Sequence, residues 1–499
     1  MIGRLIAILI VCLSVPGFLS GQTNKFNSSR GNFGGEGKNA FNSSRTNGFN
    51  EQRMKLSAEY IKMTREPWNS FNSLRGIIPP HEKEKPVAPV TISEEDLNKD
   101  KENKKIEIET IVSPIIKEDK KKPIAPIVEI DEATTAYINF SFFATDIKIR
   151  KPSAAFPRIT STGESSVADM LEKLNVQAFN NMLYDCISLK NTLRLDDWPY
   201  LMAIKAFAES VYGKNSNESA VLMAYILGQG GYKVRLARAE NKIGLLYACK
   251  HKIYYKSYFP IDNDYFYFLG ESFQQAQICP AYFSSEKPVS LWITSSPLLS
   301  EGNGNTRTLV SKRYPDFNIS VKADKNTVQL LDTYPASEID DNFMTKWAMY
   351  ASAPISDGTR KDLYSQLGSL ISGLPKEEAA ERILNWVQTS LVYEYDDKVW
   401  GHDRAFFSEE TLYYPYADCE DRSILFTRLV RDLLNLECLL VYYPGHLASA
   451  VCFDNNVTGD YIEYRNKRYT VCDPTYIGAT MGMTMPNMDN SKAKVVVLK

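Results

Sequence analysis

The chain has 499 residues, of which 44% are hydrophobic, and its 58 Lys and Arg residues nearly balance 60 Asp and Glu residues for a formal net charge of -2. A chain of this length is expected to form two or three globular domains. The charge balance provides no excess of basic residues, so nucleic acid is not the expected partner.

Residues 1–21 are predicted to be a secretory signal peptide. Arg4 precedes a short apolar run, and Ser20 and Gly21 supply the small residues typical of a cleavage site. Cys12 lies inside the apolar run rather than after a lipoprotein motif, and no later segment is apolar for long enough to span a bilayer. We therefore expect a periplasmic or secreted protein with no integral membrane segment after the signal is removed.

Two segments of low hydrophobicity follow. Residues 22–80 repeat one phrase, as FNSSR at 26–30 and 41–45 and as FNSLR at 71–75, and they are too polar to bury a core. They are predicted to be a flexible spacer; the alternative is an adhesive tail for envelope or cell-wall polymers. Residues 81–132 mix Lys, Glu and Pro, which favours an extended linker.

Globular patterning begins after the linker. Residues 133–287 contain the strand-like run AYINFSFFATDIKI, two helical patterns, and apolar strand-like runs between 245 and 269. Residues 288–340 carry the short strand-like pieces VSLWITS and NISVKADKNTVQLLD, which predict a small β-rich insert. Residues 341–499 open with the helical pattern KEEAAERILNWVQTSL. These alternations predict an α+β fold.

The stretch DCEDRSILF, residues 418–426, places a cysteine at a predicted helix start. Asp418 is a good N-cap and Asp421 stands three residues later, at the second position of a capping box. Cys419 would then lie in the first turn, where free N–H groups and the helix dipole favour a thiolate. Cys419 is therefore a candidate nucleophile.

A thiolate nucleophile needs an imidazole base and a group that orients the imidazole. His446 begins the alternating run HLASAVCF, and Asp473 closes the next strand-like run, KRYTVCD. A helix followed by two such strands would bring Cys419, His446 and Asp473 to one edge of a sheet. The alternative is a buried cysteine and an unrelated surface histidine that share a chain order by chance.

Three segments resemble motifs of the transglutaminase-like superfamily of papain-like cysteine enzymes. They are YYPYADCEDRSILFTRLVRDLL, PGHLASAVCF and RYTVCDPTY. The resemblance covers residues 345 to 485. It implies a papain-like core in which a helix packs on an antiparallel sheet. It also implies a nucleophile at Cys419, a general base at His446 and an orienting carboxylate at Asp473.

Aromatic residues near the predicted nucleophile are candidates for an oxyanion site. Trp400 or Tyr416 would assist the backbone N–H of Cys419 in stabilising a developing negative charge on oxygen. The alternative for both side chains is ordinary aromatic packing against the cleft wall.

His402 and its acidic neighbours are not expected to form a catalytic or metal site. His402 lies in the loop-like WGHDR, which favours a surface or wall position over catalysis. Asp396, Asp397, His402 and Asp403 lack a paired metal-ligand spacing, so neither a metal nor another cofactor is expected.

The secretory context invites a disulfide between Cys452 and Cys472. With the period of two of a strand, Cys452 shares the face of His446, whereas Cys472 points away from the face of Asp473. If His446 and Asp473 face one cleft, the two sulfurs lie on opposite sides of the sheet and no bridge is expected.

The N-terminal globular region is predicted to contain a degenerate copy of the same unit. A shift of 204 positions lays 231–249 over 435–453 with matching apolar alternation. Asn215 and Lys242 then take the positions of Cys419 and His446, and Gly270 falls near the position of Asp473. We expect a helix near Asn215 packed on strands that start near Lys242 and end near Gly270, without hydrolytic activity. Chance similarity of two apolar stretches is the alternative.

The expected function is that of an exported cysteine-dependent amide hydrolase, of peptidase or amidase type, that acts on a peptide, protein or cell-wall substrate through an acyl-enzyme. One alternative is acyl transfer to an amine, as in a cross-linking transglutaminase. The other is a catalytically inactive scaffold that binds the cell envelope.

Overall fold

The computed structural model describes residues 37–71, 78–79, 84–114, 127–130, 136–273 and 275–498, with side chains left undescribed for 37–47 and 71. The chain divides into two compact units, Met1–Arg45 and Thr46–Lys499. Apart from the backbone of the first helix, all that follows concerns the second unit. The predicted signal peptide and the first FNSSR repeat lie outside the described residues.

The segment predicted to be a flexible spacer forms a helix and an edge strand, α1 (Gly37–Thr64) and β1 (Asn69–Phe71). From residue 50 onward its buried positions recur at helical spacing, and they are Asn50, Arg53, Ser57, Tyr60, Ile61 and Thr64. The spacer interpretation is therefore wrong for this stretch. Most of this buried face is polar, so composition concealed it; Arg53, for example, donates to Asn180 Oδ1 at 3.2 Å.

In its described residues the charged linker is mostly extended, as predicted, and residues 84–112 are attached to the C-terminal part of the fold. Its elements are β2 (Val90–Thr91), α2 (Glu94–Leu97), β3 (Lys104–Lys105) and β4 (Thr110–Val112). Each of the three strands pairs in parallel with a strand of the C-terminal half. The linker thus belongs to the folded structure.

The N-terminal half, residues 136–287, contains a hairpin, four helices and most of a six-stranded sheet. Its elements are β5 (Tyr137–Phe142), β6 (Thr145–Arg150), α3 (Glu164–Leu174), α4 (Asn180–Thr192), α5 (Asp197–Tyr212), α6 (Asn217–Gln229), β7 (Val234–Ala239), β8 (Lys242–Cys249), β9 (Lys252–Ile253), β10 (Phe259–Ile261), β11 (Asp264–Phe268) and β12 (Ala276–Ile278). The two predicted helical patterns are confirmed.

The predicted β-rich insert is a hairpin followed by a helix. Its elements are β13 (Thr306–Val310), β14 (Asn318–Lys322), α7 (Lys325–Leu331) and β15 (Ser337–Glu338). The end of NISVKADKNTVQLLD is helical because Asp324 caps it, accepting from the Thr327 N–H at 2.7 Å. Phe317 and Ile319 pack into the same core as the helices of the C-terminal half, so the hairpin is not a separate body.

The C-terminal half, residues 341–498, carries the predicted nucleophile motif. Its elements are α8 (Thr345–Ser352), α9 (Asp357–Ile371), α10 (Lys376–Ser390), α11 (Asp396–Val399), α12 (Ser408–Tyr413), α13 (Cys419–Leu434), β16 (Glu437–Tyr443), β17 (His446–Cys452), β18 (Asp460–Tyr464), β19 (Lys467–Cys472), β20 (Tyr476–Ile477) and β21 (Lys494–Val497). The structure is mixed α+β with antiparallel central sheets, as expected from the sequence.

The two halves share one sheet topology. The N-terminal sheet has the order β12-β7-β8-β11-β10, and the C-terminal sheet has the order β21-β16-β17-β19-β18. In each half the helix that precedes the first of these hairpins, α6 or α13, packs on that hairpin. The helix expected near Asn215 and the strands expected from Lys242 to Gly270 are therefore present.

The strand registers correspond as well. In the first hairpin of the N-terminal half Val234 pairs with Tyr247, and in the C-terminal half Cys438 pairs with Val451, each partner being shifted by 204 positions. In the third strands, β11 and β19, Tyr267 pairs with Tyr247 and Thr470 pairs with Val451. The third strands are therefore related by a shift of 203 positions, one fewer than the hairpins. Pairing that repeats over three strands is more specific than apolar alternation, because a slip of one residue between paired strands would turn every side chain to the other face.

The linker shows that the C-terminal sheet is strongly curled. β3 and β4 lie at opposite ends of its seven-stranded order, yet Thr110 is only five positions after Lys105 in the chain, a reach of about 17 Å at most. In a flat sheet those outer strands would stand about 29 Å apart. The linker therefore spans a curled sheet from edge to edge, and Ile106 is buried among its inward-facing residues.

The two halves share a hydrophobic core. Buried side chains of α3 to α6 form one cluster with Trp347 of α8, Cys419 and Ile424 of α13, and Leu447 of β17. Along the described part of the chain, no helix is long and apolar enough to cross a membrane.

Candidate active site

The predicted nucleophile is the first residue of a capped helix. Asp418 Oδ1 accepts from the N–H groups of Glu420 and Asp421, at 3.0 and 3.3 Å. Asp421 Oδ2 accepts in return from the Asp418 N–H at 3.1 Å, which completes the predicted capping box. Cys419 therefore begins α13, where the helix dipole favours a negative charge on sulfur.

A buried arginine fixes this helix against its neighbour, a role that sequence reasoning missed. Arg422 is only 1% exposed and donates to the carbonyl oxygens of Gln388 at 3.0 Å, Leu391 at 2.9 Å and Ala417 at 3.3 Å. Two of those carbonyls lie at the end of α10, where helix hydrogen bonding runs out. Burial lowers the pKa of Arg422 to about 10.

The path of the chain places Cys419 at the same end of the sheet as His446 and Asp473. A two-residue connection turns α13 back into β16, and the hairpin then turns β16 into β17, so α13 and β17 run in the same direction. Ser423 Oγ donates to the Leu447 carbonyl at 2.8 Å and ties the two elements together. Cys419 lies one helical turn before Ser423, about 6 Å nearer the start of β17.

His446 and Asp473 form a buried pair. His446 Nε2 lies 2.8 Å from Asp473 Oδ2, and the two side chains are 0% and 1% exposed. Asp473 Oδ1 accepts from the N–H groups of Thr475 at 2.8 Å and Tyr476 at 3.2 Å, so the carboxylate has a fixed orientation. Because Asp473 is the acceptor, we assign the His446 proton to Nε2 and the lone pair to Nδ1.

The second imidazole nitrogen has no hydrogen bond. Among the described residues, nothing donates to His446 Nδ1 or accepts from it, although the atom is buried. An unpaired nitrogen of this kind costs free energy in the folded state. It is also the nitrogen that must be open if His446 is to take a proton from a nucleophile.

The linker crosses the site next to this pair. The Val87 N–H donates to the carbonyl of Gly445 at 2.9 Å, immediately before His446. β2 then pairs in parallel with β20, which begins three residues after Asp473. We call residues 84–91 the strap. The strap therefore pairs with the segments that precede His446 and follow Asp473.

The two aromatic candidates for an oxyanion site have different surroundings. Trp400 packs edge-to-face on Phe406 and Tyr414, and the Arg404 guanidinium lies 4.5 Å from its ring centre. Tyr416 is 39% exposed. The role of either side chain in stabilising an oxyanion stays a prediction. For Trp400, these ring contacts support the alternative of ordinary aromatic packing.

The other histidine of this region lies where the sequence predicted. His402 is exposed, and its Nδ1 lies 3.0 Å from the Trp400 carbonyl oxygen.

Sequence reasoning did not anticipate that carboxylate oxygens of Asp396, Asp403 and Glu420 would come within 4.8 Å of one another. Each has a polar neighbour, because Asp396 accepts from a backbone N–H, Asp403 contacts Lys346 and Glu420 accepts from an indole N–H.

Cys452 and Cys472 lie on opposite sides of the sheet, as predicted from the strand period, and both are free thiols. Cys452 packs with the inward-facing residues of the curled sheet, whereas Cys472 packs in the core on the helical side. Burial raises the pKa of Cys452, which is nevertheless half-buried rather than buried.

Comparison of the chain with models of protein families, with curated proteins and with solved structures finds no match.

Proposed function

We propose that the chain is a cysteine-dependent amide hydrolase of transglutaminase-like type, exported from the cell and acting on a peptide, protein or cell-wall amide. The observation that carries the proposal is the buried His446–Asp473 pair with its unpaired Nδ1, and the tie between Ser423 of α13 and Leu447 of β17 supports a position of Cys419 near it. Buried His251 also has an unpaired Nδ1, but its Nε2 accepts from the Leu291 N–H at 3.4 Å, whereas Nε2 of His446 faces the carboxylate of Asp473.

The proposed reaction has two steps. Cys419 loses its proton to His446 Nδ1, and its sulfur attacks the carbonyl carbon of the amide. The tetrahedral intermediate collapses, the amine leaves with the proton from His446, and an acyl-enzyme thioester remains. A water molecule then gives a proton to His446 and attacks the thioester, which releases the acid and returns the proton to the sulfur.

The proposal for the N-terminal half is that it is a degenerate, noncatalytic copy. The shared strand order and register support duplication. Lys242, at the position of His446, forms an ion pair with Glu271. Asn215 and Gly270 take the other two positions, and the Asn215 Oδ1 atom would lie 3.8 Å from a Cβ atom on Gly270. None of these groups can serve as a base for a nucleophile.

Alkylation tests the proposal without knowledge of the substrate. At pH 6, iodoacetamide should modify Cys419 of the full chain much faster than Cys452, since the pKa of Cys452 is raised by burial. His446→Ala should eliminate fast alkylation. Asp473→Asn should slow it at least tenfold but leave a measurable rate, because only the orientation of the imidazole is lost.

Matched variants complete the experiment. Cys452→Ala should leave the fast reaction unchanged, and Cys419→Ala should remove it while the circular dichroism spectrum is retained. Equal, slow reaction of Cys419 and Cys452 in the wild type would refute the mechanism and favour the inactive scaffold.

A further inference from the structure

A tyrosine that the sequence motifs did not single out lies beside the start of the nucleophile helix. The Ala417 N–H donates to the Val392 carbonyl at 3.0 Å, and Val392 and Tyr416 form a parallel bridge. Because the two segments run in the same direction, the residue after Val392 is carried toward the residues that lead into α13. That residue is Tyr393.

The ring of Tyr393 is held in place on two sides. The Arg422 guanidinium, three residues into α13 from Cys419, lies 5.3 Å from its centre. Tyr395 packs against it edge-to-face at 5.4 Å. The ring also packs on the buried cluster that contains Cys419. Arg422, whose side chain is fixed by three carbonyl oxygens, thus positions both the helix and this ring.

The hydroxyl of Tyr393 is buried and makes no hydrogen bond with any described residue. Leaving a buried hydroxyl unpaired costs about 1–3 kcal/mol. The hydroxyls of Tyr60, Tyr200, Tyr247 and Tyr443 are also unpaired among the described residues, but the Tyr393 ring lies beside Arg422, in the first turns of α13. Burial, with the nearby charges of Cys419 and Asp418, raises the pKa of Tyr393 far above its usual range. The group is therefore a neutral donor at any physiological pH.

We propose that Tyr393 is a catalytic residue whose hydroxyl donates a hydrogen bond to the oxyanion that forms when Cys419 attacks a carbonyl. This inference rests on the proposed function. As the carbon–sulfur bond forms, the carbonyl π electrons move onto oxygen, and Tyr393 Oη–H and the Cys419 N–H stabilise that charge. When the intermediate collapses, the electron pair returns and expels the amine, which carries the proton from His446.

Two reactions of the same sulfur separate this role from nucleophile activation. Acylation by p-nitrophenyl acetate passes through a tetrahedral oxyanion, whereas alkylation by iodoacetamide is a direct displacement at carbon and forms none. We expect Tyr393→Phe to reduce the pre-steady-state acylation rate about 100-fold and to leave alkylation of Cys419 within about twofold of wild type. Tyr395→Phe, which alters the adjacent ring, should change neither rate by more than about threefold.

Thermal unfolding supplies an independent measurement. Removal of an unpaired buried hydroxyl should leave the melting temperature of Tyr393→Phe equal to or above that of the wild type. Unchanged acylation, or equal slowing of acylation and alkylation, would overturn the oxyanion role. Rapid alkylation of Cys419 in the wild type without ester acylation would also overturn the oxyanion role, but it would still support Cys419 as the nucleophile. Failure of both reactions would refute the proposed function itself.

Discussion

Arg422 illustrates how much of the site depends on residues outside the recognisable triad. An arginine in the second turn of a predicted helix is normally interpreted as a solvent-facing residue. Here it is buried, joins α10 to α13 and contacts the ring of Tyr393. Gln388 also joins distant segments, because its side-chain amide donates to the carbonyl oxygens of Asp473 at 3.0 Å and Ala479 at 3.1 Å.

The acidic residues around the helix start give a second residue-scale consequence. Asp396 is half-buried, and burial, together with the charges of Asp418 and Glu420, raises its pKa to about 8. The folded state therefore holds this proton more tightly than the unfolded state, in which an aspartate has a pKa near 4. Its contribution to the free energy of unfolding is favourable below about pH 4 and is lost as the pH rises toward 8.

The corresponding prediction is that Asp396→Asn flattens the pH dependence of stability. At pH 8 the variant should be more stable than the wild type by about 1–2 kcal/mol, because the neutral amide needs no proton, and at pH 5 the difference should be small. Urea unfolding at both pH values measures this. Asp397→Asn, at an exposed neighbour, should show no pH-dependent difference; a stability gain that is the same at both pH values would contradict the electrostatic origin.

At the scale of elements, the strap shows how a segment predicted to be an extended linker can form part of the wall of the candidate site. The strap is held by backbone hydrogen bonds to Gly445 and to β20, and Val87 and Val90 pack on the buried cluster that contains Tyr476. Gly445 permits the approach. It has a φ of +76°, and a Cβ atom there would overlap the Lys85 carbonyl oxygen.

We expect Gly445→Ala to detach the strap. Gly401→Ala is the matched control, since Gly401 has a φ of +73° but no atom within 4 Å of its would-be Cβ. Both substitutions incur the backbone strain of a left-handed residue, about 1 kcal/mol, and Gly445→Ala adds the overlap with Lys85, about 1–3 kcal/mol more.

Urea unfolding should show the difference in stability, and hydrogen exchange should show loss of protection at the Val87 amide in Gly445→Ala alone. If the two variants lose the same stability and the Val87 amide stays protected in both, the strap does not depend on this close approach.

At the scale of the whole molecule, the predicted domain boundaries do not coincide with independent cores. One hydrophobic cluster joins helices of the N-terminal half to Cys419, Ile424 and Leu447. The linker adds parallel strands to both edges of the C-terminal sheet and inserts Ile106 among its inward-facing residues. Elements that share a core are expected to unfold together.

A fragment of residues 341–499 should therefore not fold cooperatively, although it contains the complete predicted triad. It lacks the linker strands and the apolar residues that cover α13 and β17 on the N-terminal side. A fragment of residues 46–499 is the control and should melt in one transition. Near-ultraviolet circular dichroism during heating distinguishes them; cooperative melting of the short fragment at the temperature of the control would show that the catalytic half is autonomous.

The features that the sequence by itself determined are those that depend on near neighbours in the chain. The capping box at Asp418 and the helical and strand periods of both halves follow from hydrogen bonding and side-chain geometry within a few residues. The shift of 204 positions and the opposite faces of Cys452 and Cys472 also follow, because alternation along a strand is a local property.

Tertiary structure alone decided which polar residues are buried. The polar face of α1, the strap and Arg422 all looked solvated or flexible in the sequence, yet each is buried or paired because its donors and acceptors meet partners distant in the chain. The unpaired Nδ1 of His446 and the unpaired hydroxyl of Tyr393 likewise could not be predicted from the sequence. Whether a polar atom has a partner depends on what packs around it, and that is settled only when the chain has folded.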